Sequence, residues 1–290
     1  MMVRTRFAPS PTGRLHLGHV LAARVAHDMA RARQGGVFLL RFEDIDATRI
    51  REPFYRGITE DLEWLGLHWD ETPLRQSGRV HAYQSALETL RQRGLAYPCF
   101  CTRREIQDEW ARMAAAPHGP EGPLYPGSCR EIDDARRAEM IAAGVTHAWR
   151  LDARKAALET GPIDFHDLRH GVIAVDPLLL GDVVLARKDI GTAYHLAVVV
   201  DDAFQQITHV TRGEDLLAST HVHRLLQVLL GLPAPDYLHH ALLPGDDGKR
   251  LAKRHDALAV ATLRESGHTA AGVISRTDPF MPALAKTGGL

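Results

Sequence analysis

The stretch "RFAPSPTGRLHLGH", residues 6–19, holds two prolines, two glycines, two arginines and two histidines in fourteen positions. It grows out of "VRTRFA" (3–8), which reads as a short strand. It leads into "HVLAARVAHDMARARQG" (19–35), where apolar residues recur at helical spacing up to a stop at Gly35 and Gly36. "VFLLRFEDID" (37–46) follows, an apolar run ending in acids, the pattern of a buried strand with polar groups at its carboxyl end. The order strand, loop, helix, strand predicts a unit of an open parallel sheet. In such a sheet ligands sit beyond the carboxyl ends of the strands, and a loop entering a helix N-terminus offers N–H groups and a positive dipole end to phosphate. Gly13 and Gly18 let the backbone approach a ligand closely, and the rings of His16 and His19 can donate to phosphate oxygens. An H-x-G-H string alone is a weak signal; its place between a strand and a helix gives it weight.

The remaining chain fits a mixed α/β reading. Helices are expected at "FYRGITEDLEWLGL" (54–67), "RVHAYQSALETLRQRG" (79–94) and "STHVHRLLQVLLGL" (219–232). "YHLAVVVDDAFQQITHVTRG" (194–213) reads as a buried strand, a turn and a second strand, and 112–128 as the most loop-like segment. At 290 residues, 45% hydrophobic and 24% charged, the composition is that of a soluble globular protein with room for one large domain or two modest ones. No apolar run approaches the roughly 18 residues of a membrane span, and the start lacks a secretory apolar core, so a cytoplasmic protein that does not engage membranes is expected. A formal net charge of -1 means that any nucleic acid must be met by a local patch. Most of the seventeen histidines are expected at the surface, since no single spacing collects them.

The three cysteines are too few for a disulfide framework. Cys99 and Cys101 flank Phe100, and Cys129 follows across a Pro/Gly-rich loop; three thiolates suit Zn²⁺, and a structural site needs a fourth ligand, for which His118 is the chemically ordinary candidate. The alternative is three packed cysteines.

"RFAPSPTGRLHLGH" resembles the HIGH-motif loop of the class I aminoacyl-tRNA synthetases of the glutamyl and glutaminyl branch. The resemblance continues through "LLRFEDID", "DLEWLGLHWDE", "RQSGRVHAYQSALETLRQRGLAYPCFCTRRE" and "TAYHLAVVVDDAFQQITHVTRGEDLLAST", in the family's order. It ends at "GKRLAKR" (248–254), similar to the KMSKS loop. It implies an α/β, Rossmann-type catalytic domain in two halves, 1–77 and 190–245, around an inserted zinc-bearing, acceptor-binding-like subdomain at 78–189. A KMSKS-like loop and short C-terminal region fill 246–290. The implied activity is activation of glutamate by ATP accompanied by Mg²⁺. His16, Gly18 and His19 would contact ATP, and Lys253 the departing pyrophosphate. Here the chain departs from the motif: Arg250 replaces its first lysine and Ala252 its serine, with Lys249 just upstream.

Glutamate presents two carboxylates and an ammonium, so a selective pocket should offer arginines and an acid. By resemblance the carboxylates fall to Arg6 and Arg212, the ammonium to Glu43, and the walls to Ala8, Ser10 and Tyr194. Val198 stands where full-length glutamyl enzymes carry an asparagine, which predicts a lost polar contact near the substrate. The resemblance makes Tyr125 the fourth zinc ligand, leaving it and His118 as alternatives. Residues 255–290 are too few and irregular for an anticodon-reading domain. The chain therefore resembles the shortened paralogues of this branch, which activate glutamate without tRNA and attach it to the queuosine base of tRNA(Asp). A monomer is expected. Charging of a tRNA 3′ end and a catalytically silent RNA-binding role are the alternatives.

Overall fold

The computed structural model describes residues 2–113, 118–120, 122–244 and 259–283. Strand Arg4–Phe7 pairs in parallel with Val37–Phe42, which pairs in parallel with the two-residue strand Leu74–Arg75. A second set begins with His209–Gly213, parallel to Asp236–His240, which is parallel to Asp164–Asp167; Gly171–Ala174 closes that edge antiparallel. The two sets lie side by side at Thr208, whose N–H donates to the Arg4 carbonyl at 3.0 Å and whose hydroxyl accepts from the Arg4 N–H at 2.8 Å. Strand order thus reverses between Arg4–Phe7 and His209–Gly213. A cleft opens where successive crossovers leave a sheet in opposite directions, and this reversal fixes where a ligand can enter.

Parallel neighbours need long crossovers, and helices supply them. Helix Leu17–Arg31 turns Val20, Ala23, Ala26 and Ala30 onto Phe38 and Leu40, all buried, and its small alanines let helix and sheet approach closely. Helix Glu52–Trp64 adds Tyr55, Ile58 and Leu62 to the same core. A second core gathers Leu87 and Leu90 of helix Val80–Gln92, Leu225 and Leu226 of helix Leu217–Leu229, and Leu151 and Leu185. The last two lie in an antiparallel sheet ordered Val184–Ala186, Ala148–Leu151, Ala96–Cys99.

One expectation is corrected. Tyr194–Phe204 is an α-helix, not a strand; only His209–Gly213 of that stretch is extended. A short run such as "AVVV" has no polar face to report a period, and β-branched residues favour strands only weakly. Burial decides it: Leu196, Val198 and Val199 pack in the second core, while Asp201 and Asp202, one turn on, face buried polar partners. Val198 is 1% exposed in that core and is not among the residues lining the cleft.

Candidate active site

A cavity of about 570 Å³ opens at the strand reversal. Its lining includes Arg6, Ala8, Ser10, His16, Gly18, His19, Glu43, Tyr194 and Arg212, so nine of the ten described residues singled out for a ligand share one space; Gly13 is not among the lining residues. They come from sequence positions more than two hundred apart, at the ends of strands Arg4–Phe7, Val37–Phe42 and His209–Gly213 and at the starts of helices Leu17–Arg31 and Tyr194–Phe204. Lys253 lies outside the described residues, as do Lys249, Arg250 and Ala252. The chain on either side of them is at the cleft: Leu242 and Leu243 line it, and Ala259 forms an isolated β-bridge with His16.

The two histidines of the opening motif cap their own helix. The Nδ1 atom of His16 accepts from the Gly18 N–H at 3.1 Å, and Nδ1 of His19 accepts from the His16 N–H at 3.2 Å, a capping box made from imidazoles. With Nδ1 an acceptor in each, the neutral rings carry their protons on Nε2, where they are donors. A Cβ on Gly18 would stand 3.0 Å from the His16 ring, a tight contact that would oblige the ring to shift by a few tenths of an ångström from its cap.

The cleft floor carries a concentration of positive charge. Asp202 accepts from Arg6 Nε at 2.9 Å and Nη2 at 3.3 Å, and from Arg41 Nη1 at 2.7 Å, so one carboxylate serves two arginines. Burial pushes Asp202 upward and is outweighed by Arg41 and Arg6, which leave it below its ordinary range. Arg212, also buried, has no carboxylate in ion-pair contact among the described residues; its partners are His239, His223 and Thr220. Burial raises Glu43 to about 7 against the lowering pull of Arg41 and Arg6. Among the described residues Arg212 thus has no carboxylate in ion-pair contact, and it shares the cleft with an acid that gains from a cationic neighbour. A zwitterion with an extra carboxylate complements that balance.

A second cluster lies at the cysteines. The ligand atoms of Cys99, Cys101 and Cys129 fall within 4.8 Å of one another. The Tyr125 hydroxyl is 3.5 Å from Cys99 Sγ and 3.6 Å from Cys101 Sγ, and the Sγ atoms of Cys101 and Cys129 are 3.3 Å apart. Ligands of a tetrahedral zinc–thiolate centre lie about 3.8 Å apart, so the set fits such an ion with modest adjustment. The hydrogen bond between the two thiols brings Cys129 down to about 6 and, with burial, raises Cys99 to about 12, so without a metal a single thiolate, at Cys129, is favoured over one at Cys99. The His118 side chain lies outside the described residues.

Several polar residues around the cleft were not read from sequence. Arg41, in the middle of "VFLLRF" and fully buried, was a visible anomaly in a run that otherwise reads as core. Asp202, His223 and His239 gave no signal, because their partners are distant in sequence. Among the fifteen histidines whose side chains are described, eleven are exposed or part-exposed, as expected for most of them, but four, His221, His223, His239 and His240, are buried. His223 and His239 are accommodated as hydrogen-bond acceptors for Arg212.

Residues 2–275 match the family described as "tRNA synthetases class I (E and Q), catalytic domain". The chain is 51% identical to a glutamyl-Q tRNA(Asp) synthetase of Rhodobacter capsulatus, over 93% of this chain and 97% of that one. It is 40% identical to a glutamate–tRNA ligase of Aquifex aeolicus over 92% of this chain and 54% of that one. A crystal structure of a glutamate tRNA ligase from Elizabethkingia meningosepticum superposes with a TM-score of 0.73 at 31% identity, covering 88% of this chain and 53% of that one. The chain thus spans about half the length of those ligases. The fold alone extends to methionyl-tRNA synthetase of Mycobacterium tuberculosis, with a TM-score of 0.56 at 11% identity over 95% of this chain and 68% of that one. With its cleft at the strand reversal and its capped histidine loop, the chain belongs to the class I tRNA synthetases of the glutamate and glutamine branch and, within them, to the glutamyl-Q tRNA(Asp) synthetases.

Proposed function

We propose that the protein activates L-glutamate with ATP and Mg²⁺, without tRNA, and transfers the glutamyl group to the queuosine base at the wobble position of tRNA(Asp). In the first step an oxygen of the glutamate α-carboxylate attacks the α-phosphorus and the bond to pyrophosphate breaks. In the second a queuosine hydroxyl attacks the acyl carbon, AMP departs and the hydroxyl proton is lost. Arg6 and Arg212 meet the carboxylates, Glu43 the ammonium, and Ala8, Ser10 and Tyr194 the remaining walls. His16 and His19 donate from Nε2 to ATP phosphates beside Gly18, and Lys253 meets the charge that grows on the departing pyrophosphate. The observation that carries this reading is the gathering of these nine described residues in one cleft of about 570 Å³.

The cysteine cluster, with Tyr125 as fourth ligand, would hold one structural Zn²⁺. The ion would cross-link the strand end at Cys99 to the turn at Cys129. We assign 78–189 to the acceptor-facing insertion, 1–77 and 190–245 to the two halves of the catalytic domain, and 246–290 to the catalytic loop and C-terminal region. A cytoplasmic monomer fits this role, and among the described residues no helix is long and apolar enough to cross a membrane.

The test is transfer of labelled glutamate to tRNA(Asp) from queuosine-making cells. Label is expected on an anticodon-loop fragment after nuclease digestion, with none on tRNA(Asp) lacking queuosine. Label on the terminal adenosine, or equal labelling of the control, would replace this reading with charging of a 3′ end.

A further inference from the structure

Arg212 is 5% exposed, and each of its three nitrogens donates to a neutral acceptor. Nε donates to His239 Nε2 at 3.1 Å, Nη1 meets His223 Nδ1 at 2.9 Å, and Nη2 donates to the Thr220 hydroxyl. An arginine can only donate, so both imidazole nitrogens facing it must be unprotonated. What keeps them so lies one step further out. Asp167, fully buried, accepts at Oδ1 from the backbone N–H groups of Arg169 and His170, both at 2.9 Å. At Oδ2 it accepts from the His239 N–H at 3.1 Å and meets His239 Nδ1 at 2.6 Å. An ionised carboxylate has no proton to give, so His239 carries its proton on Nδ1 and presents a lone pair to Arg212. His223, with Nδ1 committed, carries its proton on Nε2 and donates to Nδ1 of His195 at 3.1 Å.

We infer that Asp167 and His239, together with His223, are positioning residues that hold Arg212, among the described residues, by neutral acceptors, leaving its charge to be matched by an anionic substrate side chain. The inference rests on the reading of Arg212 as the residue that meets a substrate carboxylate. Contrast with Arg6 gives the reason. Arg6 is paired inside the protein with Asp202, a carboxylate it shares with Arg41, so part of its charge is met before any ligand arrives. Arg212 keeps one N–H on each Nη nitrogen without a protein acceptor among the described residues, at the wall of the cleft. A carboxylate can take both, whereas a carboxamide leaves a buried charge unmatched. An acid in place of either imidazole would remove that preference by satisfying the arginine beforehand.

Asp167→Asn is the sharpest perturbation. The asparagine oxygen can still accept from Arg169 and His170, which turns its NH₂ toward His239 Nδ1. The imidazole proton is then forced to Nε2, against the Arg212 Nε–H. Glutamate binding by calorimetry is expected to weaken on the order of tenfold or more, with ATP binding changed less than about threefold, and the preference for glutamate over glutamine should shrink. His239→Gln, which keeps an acceptor, should retain more glutamate affinity than His239→Leu, and thermal melting of each variant without ligand separates a general loss of stability. Wild-type glutamate affinity in Asp167→Asn overturns the inference. If that variant does not fold, equal affinities in the two His239 variants overturn it instead. Arg212→Ala separates the two levels: loss of glutamate binding there with none in the Asp167 and His239 variants defeats only the positioning role. Retained glutamate binding in Arg212→Ala, or no glutamate binding by the wild type, defeats both.

Discussion

Glutamate affinity should fall steeply with acid, and Glu43 sets where. Burial raises this acid to about 7 from an ordinary 4.5, although Arg41 and Arg6 pull it down. In the ligand-free protein it is therefore mostly protonated below about 7, and a substrate ammonium placed there would face a neutral carboxyl. Since the raised pKa belongs to an acid, ammonium binding is favoured above about pH 7 and is lost as pH falls through that value. The ionised fraction drops from about nine-tenths at pH 8 to about one-tenth at pH 6, so affinity should fall on the order of tenfold across that range. Binding at pH 7 should release about half a proton, visible as a dependence of calorimetric enthalpy on the ionisation enthalpy of the buffer. Stability of the ligand-free protein runs the other way: a raised acid contributes most below its unfolded value of 4.5 and loses that contribution as pH rises to about 7. Glu43→Gln should bind weakly and with little pH dependence. Affinity that is flat between pH 6 and 8, or a slope of wild-type size surviving in Glu43→Gln, would refute the assignment.

Lys253→Ala should lower ATP–pyrophosphate exchange by roughly a hundredfold or more while leaving glutamate affinity nearly unchanged, because its charge acts as pyrophosphate departs; a wild-type exchange rate would remove it from the mechanism. Purified protein should contain about one zinc per chain, lost in Cys129→Ser with a fall in melting temperature. Metal-free protein with an unchanged melting temperature would favour simple packing of the three thiols.

The order strand, loop, helix, strand around residues 3–46 is local information: turn formers, a helical apolar period and a continuous apolar run each depend on neighbours in the chain, and the sequence carried them. The glycine beside His16 and the position of Glu43 at a strand end were legible for the same reason. Only the fold could show that residues 194–204 are helical, because "AVVV" is apolar throughout and has no polar side from which a period could be read. Only the fold could bring Asp202 to Arg6 and Arg41, or set His239, His223 and Thr220 around Arg212 with Asp167 behind them. These contacts join elements far apart in sequence. A histidine is no more than a residue with two possible tautomers until its neighbours decide which nitrogen carries the proton. The sequence by itself determined the ligand-facing groups of the cleft that local motifs carry; the tertiary structure decided which buried groups stand behind them and so which charges already have a partner within the protein.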